Sequence, residues 1–199
     1  QAQSNLAELY LTDDRTEAAE AALEEAMRVI ASEDLDADPI VQHNLAVVRM
    51  RQGSLSEAEE LLRGAAELNE KARAWGELAS NHYMLAALQR RRGDLPAAIA
   101  EARSALEFDK RGENAPGIGK DLHALGSLHR ENGDTVTALD YYQRALRVTV
   151  ALNQYPETRR ALRALLDVTT ELGRESDAEE YRRQLARLEA EEDVFVGTE

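Results

Sequence analysis

Histidines are the side chains of this sequence best suited to metal binding or to proton transfer near neutral pH, because it contains four of them and no cysteine. His129 falls at an inward-facing helical position and is predicted to be a packed core residue. His43 and His123 lie too far apart along the repeat described below to share one ion, and His82 has no ligand partner on its face. The sequence therefore predicts no metal site.

Catalysis is not indicated either. Adjacent glutamates occur at residues 24–25, 59–60 and 179–180, on helices predicted to face outward, where they read as solvated charge. Residues 117–120, Gly-Ile-Gly-Lys, lack the first glycine and the Ser/Thr of a phosphate-binding loop and are interpreted as a flexible corner. No nucleophile has a base and an orienting partner, so we expect neither an enzyme active site nor a cofactor.

The composition limits the class of partner. Among 199 residues, 31% are charged and the net charge is −14, so we expect no nucleic-acid binding. No apolar run is long enough to cross a bilayer, and we expect no membrane insertion. The chain starts at Gln1, which we interpret as a processed product or a piece of a longer protein. An acidic, cysteine-free chain suits bacterial cytoplasm and periplasm equally.

A period of 40 residues organises the chain, because Gly53, Gly93, Gly133 and Gly173 are evenly spaced. Residues at fixed distances from these glycines repeat with them. Eight residues before each glycine stand Leu45, Leu85, Leu125 and Leu165. Five residues after stand Ala58, Ala98, Ala138 and Ala178. Twelve residues after stand Ala65, Ala105, Ala145 and Leu185. A weaker copy surrounds Asp14, so the sequence predicts five repeats.

Each repeat is predicted to be two helices joined by a turn. The glycine ends the first helix in the left-handed conformation, and Ser54, Asp94 or Asp134 caps the second. Ser54 with Glu57 fits a capping box. The predicted helices cover residues 2–12, 15–31, 39–52, 55–70, 73–92, 95–111, 115–132, 135–152, 156–172 and 175–192.

The segment 125–134, followed by Ala138, Tyr142, Ala145 and Leu146, resembles the signature of the tetratricopeptide repeat family. This resemblance implies an all-α fold, a right-handed α-solenoid of five helix-turn-helix repeats, and a protein-binding role. The repeats are extended, at 40 rather than the usual 34 residues. We place them at about 1–36, 37–72, 73–112, 113–153 and 154–192, with a C-terminal tail at 193–199.

In such arrays the first helix of each repeat lines the concave face, and helical spacing identifies its outward stripe. We call the residues thirteen, ten, six, three and two positions before each glycine the first-helix stripe. The members predicted to contact a partner are His43, Val47, Met50, Arg51, Tyr83, Arg90, Arg91, Lys120, His123, Ser127, Arg130, Arg160 and Arg163.

This stripe gathers positive charge on an acidic protein, with only Glu131, Asp167 and Glu171 opposing it. Arginine suits bidentate recognition of carboxylates, so we hypothesise a scaffold or adaptor that binds a carboxylate-bearing peptide of a protein partner. Weak surface pairing with nearby glutamates is the alternative reading of these arginines. Two other functions stay open at this point: self-assembly into homo-oligomers, and service as the sensing arm of a larger regulator or enzyme.

Overall fold

The computed structural model describes residues 15–33 and 36–196, and every regular element within these ranges is an α-helix. The helices are α1 (Thr16–Ser32), α2 (Pro39–Gln52), α3 (Leu55–Ala72), α4 (Trp75–Arg92), α5 (Leu95–Arg111), α6 (Ala115–Glu131), α7 (Thr135–Ala151), α8 (Tyr155–Glu171) and α9 (Glu175–Val196). The all-α, helical-repeat prediction is confirmed. The predicted helix 2–12 lies outside the described residues. Helix α9 continues four residues beyond its predicted end at 192, into the segment predicted to be the tail.

The chain forms two compact units, residues 1–94 and 95–199. In the first unit, α2 packs against α1, α3 and α4, and α3 packs against α4. In the second unit, each helix from α5 to α9 packs on the next, and α6 also contacts α8. The first helices of consecutive predicted repeats, α2 with α4 and α6 with α8, therefore touch within each unit.

The turns inside the repeats form as predicted. Gly53, Gly93, Gly133 and Gly173 all have positive φ, between 67° and 85°. At the second of these turns the amide of Asp94 donates to the carbonyl of Gln89 at 3.0 Å, closing the end of α4. A side chain at these positions would be strained, which explains why the period is carried by glycine.

The corners between repeats use the same left-handed conformation without glycine. Arg73, Glu113 and Asn153, again 40 residues apart, have φ of 56°, 53° and 53°. For an ordinary L-residue this conformation costs roughly 1–2 kcal/mol, and asparagine tolerates it best. Because these corners contain no repeated glycine, the sequence did not predict their left-handed conformation.

Small side chains set the spacing between helices. Ala58, Ala98 and Ala138 are fully buried, as are Ala65 and Ala105. The predicted inward registers are thus confirmed. Of the predicted caps, Asp134 accepts from the amide of Thr137 at 3.1 Å. The capping box at Ser54 is wrong: the Ser54 side chain makes no capping hydrogen bond, and the Glu57 carboxylate, the other half of the box, binds Arg49 instead.

Arg49 ties three helices of the first unit together. Its guanidinium contacts Glu20 and Glu24 of α1 and Glu57 of α3, the last two at 3.0 and 2.9 Å. The side chain is only 13% exposed, so these ion pairs are partly shielded from water. Hydrogen bonding to Glu57, with smaller contributions from Glu20 and Glu24, raises the pKa of Arg49 and keeps it charged.

The fourth repeat substitutes one pair of core residues for another. Gly126 stands where the second repeat has Ala46, and Tyr142 stands where it has Leu62. An added Cβ on Gly126 would lie 2.7 Å from the Tyr142 ring, so the buried ring occupies the space of the missing methyl group. The glycine of α6 and the tyrosine of α7 are therefore one packing solution.

Buried polar residues also follow the period. Asn69 and Asn81 form a hydrogen-bonded pair, and Asp109 and Asp121 occupy the same positions one repeat later. Asp109 and Asp121 are 4% and 2% exposed. Asn114 donates to Asp109 at 2.9 Å, and the same carboxylate packs so closely on Gly117 that a Cβ there would overlap it. Residues 117–120 thus belong to the tightly packed start of α6 rather than to a flexible corner.

The pKa values of both aspartates are raised. Burial, and then the charge of the nearby Asp109 carboxylate and a hydrogen bond to it, raise the pKa of Asp121 to about 8 against the opposing effect of Lys120. Burial also raises the pKa of Asp109. Oδ2 of Asp121 is buried and accepts no hydrogen bond from the described residues, and a proton held between the two carboxyl groups would satisfy it.

We expect Gly126→Ala to destabilise the protein by about 1–2 kcal/mol, because the methyl group overpacks against Tyr142. In a Tyr142→Leu background, which recreates the Ala46–Leu62 pair, the same change should be neutral or stabilising, since alanine is the better helix former. Urea unfolding of the two single variants and the double variant measures this coupling. An equal cost of Gly126→Ala in both backgrounds would contradict the packing account.

We expect Asp109→Asn/Asp121→Asn, which copies the Asn69–Asn81 pair, to remove a pH dependence of stability. The folded pKa of Asp121 is raised, so the folded protein holds a proton that the unfolded chain releases above about pH 4. The contribution of this pair to stability is therefore greatest at low pH and is lost as the pH rises toward 8, by at most about 1.4 kcal/mol per pH unit.

Unfolding free energies of the wild type and the double variant, compared between about pH 5 and pH 9, test this linkage. The variant should gain stability relative to the wild type as the pH rises. Parallel curves across that range would show that the aspartates share no proton.

Candidate partner-binding surface

In the first unit the first-helix stripe lies on α2 and α4. Arg51, Arg90 and Arg91 are exposed, and His43, Val47 and Tyr83 are half-buried. Met50 is a correction to the prediction. It is 6% exposed and packs with Ala46, Leu62 and Leu88, because the last turn of α2 is covered by α3 and α4.

Two of the arginines in this unit make contacts that hold the helices. A guanidinium nitrogen of Arg91 donates to the backbone carbonyl of Met50, so this α4 side chain caps the C-terminal end of α2. Arg51 Nη1 donates to Thr16 Oγ1 at 3.3 Å. The C-terminal ends of α2 and α4 together carry the positive charge of the stripe in this unit.

In the second unit the stripe lies on α6 and α8, and its charge is partly neutralised. Arg130 Nε lies 3.1 and 3.2 Å from the carboxylate oxygens of Glu171, with Asp167 at 3.5 Å. Glu171 raises the pKa of Arg130 through this hydrogen bond. Arg163 pairs with Glu189 of α9 at 3.0 Å. Lys120 and Arg160 are exposed, and Ser127 is half-buried.

His123 contributes no positive charge to the stripe. Its ring lies 5.2 Å from the ring of Tyr142, centroid to centroid. Burial, and then the charge of Arg160, lower the pKa of His123 to about 4, so it is neutral at physiological pH. Its Nε2 is buried without a hydrogen-bond partner among the described residues. Two repeats earlier Asn81 supplies such a partner to His43, but here the equivalent residue is Ala161.

A pocket of about 200 Å³ opens on the stripe in the first unit. We call it the His43 pocket. Residues from α2, α3 and α4 line it: Pro39, Ile40, His43, Asn44, Asn69, Glu77, Ser80 and Asn81. The predicted contact residue His43 is therefore joined by Ser80, another member of the stripe, and by four polar residues outside it, which are Asn44, Asn69, Glu77 and Asn81.

A chain of hydrogen bonds holds one side of the His43 pocket. Asn69 Nδ2 donates to Asn81 Oδ1 at 2.7 Å, and Asn81 Nδ2 donates to His43 Nδ1 at 3.0 Å. Asn81 is fully buried and Asn69 is 5% exposed. With Nδ1 accepting, the neutral imidazole carries its proton on Nε2. The signal in the sequence was the polar residue type at two inward positions, 69 and 81, of an otherwise apolar pattern.

Other site chemistry is sparse in the part of the chain that the structure describes. Within residues 15–33 and 36–196, no group of three or more histidine and carboxylate side chains is placed to hold a metal ion. No helix there is both long and apolar enough to cross a membrane. The described surface has exposed helix faces and a polar-walled pocket.

Comparison with known proteins shows which family and which solved structures this chain is similar to. The model of the MalT-like TPR region matches residues 2–198. No curated protein sequence matches the chain. Several solved structures share its fold at low identity.

BtubC (BKLC) from P. vanneervenii is 20% identical, with a TM-score of 0.82 over 96% of this chain and 80% of that one. TPR-like repeats of a kinesin light chain from Podosopora anserina are 19% identical, with a TM-score of 0.77 over 96% and 95%. A Rap protein complexed with competence and sporulation factor is 16% identical, with a TM-score of 0.75 over 95% of this chain and 53% of that one. This chain thus spans about half the length of the Rap protein.

The family model covers nearly the whole sequence. The structure of the chain contains the helix pairs, glycine turns and alanine contacts that the repeat pattern predicts. The chain belongs to the MalT-like TPR region family of tetratricopeptide repeat proteins.

Proposed function

We propose that this chain is a protein-interaction scaffold that binds a carboxylate-bearing peptide of a partner protein on its first-helix stripe. The observation that carries the proposal is the exposure of Arg51 and Arg90 on the same face as the His43 pocket, a side-chain-sized opening with a hydrogen-bonded wall. Pockets with a few fixed polar groups are typical binding sites. The role that the family resemblance implies supports the same reading.

The arginines of the first unit are the residues proposed to bind the carboxylates of the peptide. Arg51 and Arg90 are exposed at the C-terminal ends of α2 and α4, and Arg91 is held beside them by Met50. Guanidinium groups bind carboxylates through paired, charge-assisted hydrogen bonds. Arg130 is a weaker candidate than the sequence suggested, because Glu171 and Asp167 already occupy it.

A sensing arm within a larger protein is a second candidate. It is favoured by the match to about half of a Rap protein whose structure contains competence and sporulation factor. In that case the peptide site proposed here would report to a domain elsewhere. The same binding experiment applies to both candidates, and the activity of the longer protein with and without peptide distinguishes them.

The test is a display selection of random peptides on the wild-type chain, followed by affinity measurements with a selected peptide. We expect Arg51→Glu/Arg90→Glu to weaken peptide binding at least about tenfold, equivalent to about 1.4 kcal/mol. The change reverses the charge of two side chains that are proposed to bind the carboxylates of the peptide. Arg130 is left unchanged because its reversal would also break the contacts with Glu171.

Arg103→Glu/Arg147→Glu is the matched control, since both residues are exposed on second helices and the net charge changes equally. Circular dichroism should show equal helicity in all three proteins. Light scattering across concentration identifies self-assembly. Unchanged affinity in the Arg51/Arg90 variant, or a selection that yields no binding peptide, would overturn the proposed function.

A further inference from the structure

The His43 pocket differs in charge from the rest of the stripe in its unit. Its lining includes one carboxylate, Glu77, and no lysine or arginine. Glu77 is exposed and makes no ion pair with the described residues. The remaining polar groups, Asn44, Ser80 and the asparagine pair, are neutral.

The helix ends at this pocket do not offer a site for an anion. The N-terminal turn of α2 is already capped by Asp38, whose Oδ1 accepts from the amides of Ile40 at 2.8 Å and Val41 at 3.4 Å. The first turn of α4 contains Glu77 itself. Both positive dipole ends thus meet a carboxylate of the protein, and a ligand carboxylate would be repelled by it.

His43 does not reverse this charge. Its Nδ1 faces the amide donor of Asn81, which favours the neutral ring, because a proton on Nδ1 would point one donor at another. The neutral ring presents its N–H at Nε2. The pocket therefore combines one negative charge with neutral hydrogen-bonding groups.

The rim of the pocket supplies apolar contact. Ile40 is 48% exposed, and Pro39 lies next to it. Long cationic side chains bury their methylene stems on such surfaces while the charged end finds an acidic or aqueous partner. An aliphatic edge beside an exposed carboxylate has the chemistry for that kind of group.

We propose that the His43 pocket binds the lysine or arginine side chain of a partner peptide, with its stem along Ile40 and Pro39 and its cation at Glu77. This inference rests on the proposed function and names the residue class for one end of the site. Arg51 lies eight residues beyond His43 on α2, about 12 Å along the helix. The partner segment therefore carries a cation at one end of the face and carboxylates toward the other.

The probes are three blocked amino acids, the Nα-acetyl N-methylamides of lysine, norleucine and glutamate. Each is titrated into the ¹⁵N-labelled full chain, and the amide signals of Ser80, Asn44 and Asn81 are followed by NMR. We expect the lysine probe to shift these signals with an affinity at least about fivefold higher than that of norleucine, which has the same four-carbon stem without the ammonium group. The glutamate probe should bind more weakly than norleucine.

Glu77→Gln should abolish the difference between lysine and norleucine. Glu60→Gln, an equal charge change on the exposed side of α3, should preserve it. Ile40→Ser should weaken both probes, because it removes the stem contact. Equal binding of lysine and norleucine, preference for glutamate, no effect of Glu77→Gln or no shift in the pocket signals would each overturn the inference.

These outcomes are separable from those of the peptide experiment. If selected peptides lose affinity on reversal of Arg51 and Arg90 while the lysine probe shows no preference for the pocket, the scaffold function stands and the cation site fails. If the lysine probe binds but no peptide is selected, the pocket chemistry stands and the carboxylate-peptide proposal fails.

Discussion

Close approach of neighbouring helices is the constraint on which the rest of this structure depends. A pair of helices in one repeat cannot bury its apolar surface alone, so each pair must lie against the next. Fully buried alanines at 58, 98 and 138 permit that approach, and Tyr142 is accommodated only because residue 126 has no side chain. Packing occupies the inner sides of the first helices, and their opposite sides, where we propose that a partner binds, stay exposed.

The same repeated positions carry different polar chemistry. Residues 69 and 81 are asparagines that orient His43, whereas 109 and 121 are aspartates whose pKa values are raised. At 149 and 161 the pair becomes threonine and alanine, and His123 is left without the amide that serves His43. A repeat array can thus vary its buried polar groups one unit at a time while the helix spacing stays constant, which gives each position along the stripe its own local electrostatics.

Much of the fold could be predicted from the sequence because its information is local and periodic. The spacing of the glycines predicted the turns, and the repeated alanine positions predicted the contacts between helices. The predicted helix ends lie within a few residues of the observed ones. Met50 was misplaced because its burial depends on how two other helices cover the end of α2. The pairing of Arg130 with Glu171, 41 residues away, and the diversion of Glu57 to Arg49 are likewise tertiary. The His43 pocket needed three helices in place before its polar residues could be recognised as a group.

The corners at Arg73, Glu113 and Asn153 have a consequence for how such a protein could evolve. In a repeat array, stability is close to a sum of contributions from single units and from their interfaces. The strain at each corner between repeats therefore contributes to stability separately. A lineage that replaced these three residues with glycine could stabilise the array one corner at a time. Because none of the three belongs to the first-helix stripe, thermal adaptation and a change of the proposed partner could proceed along independent sets of positions.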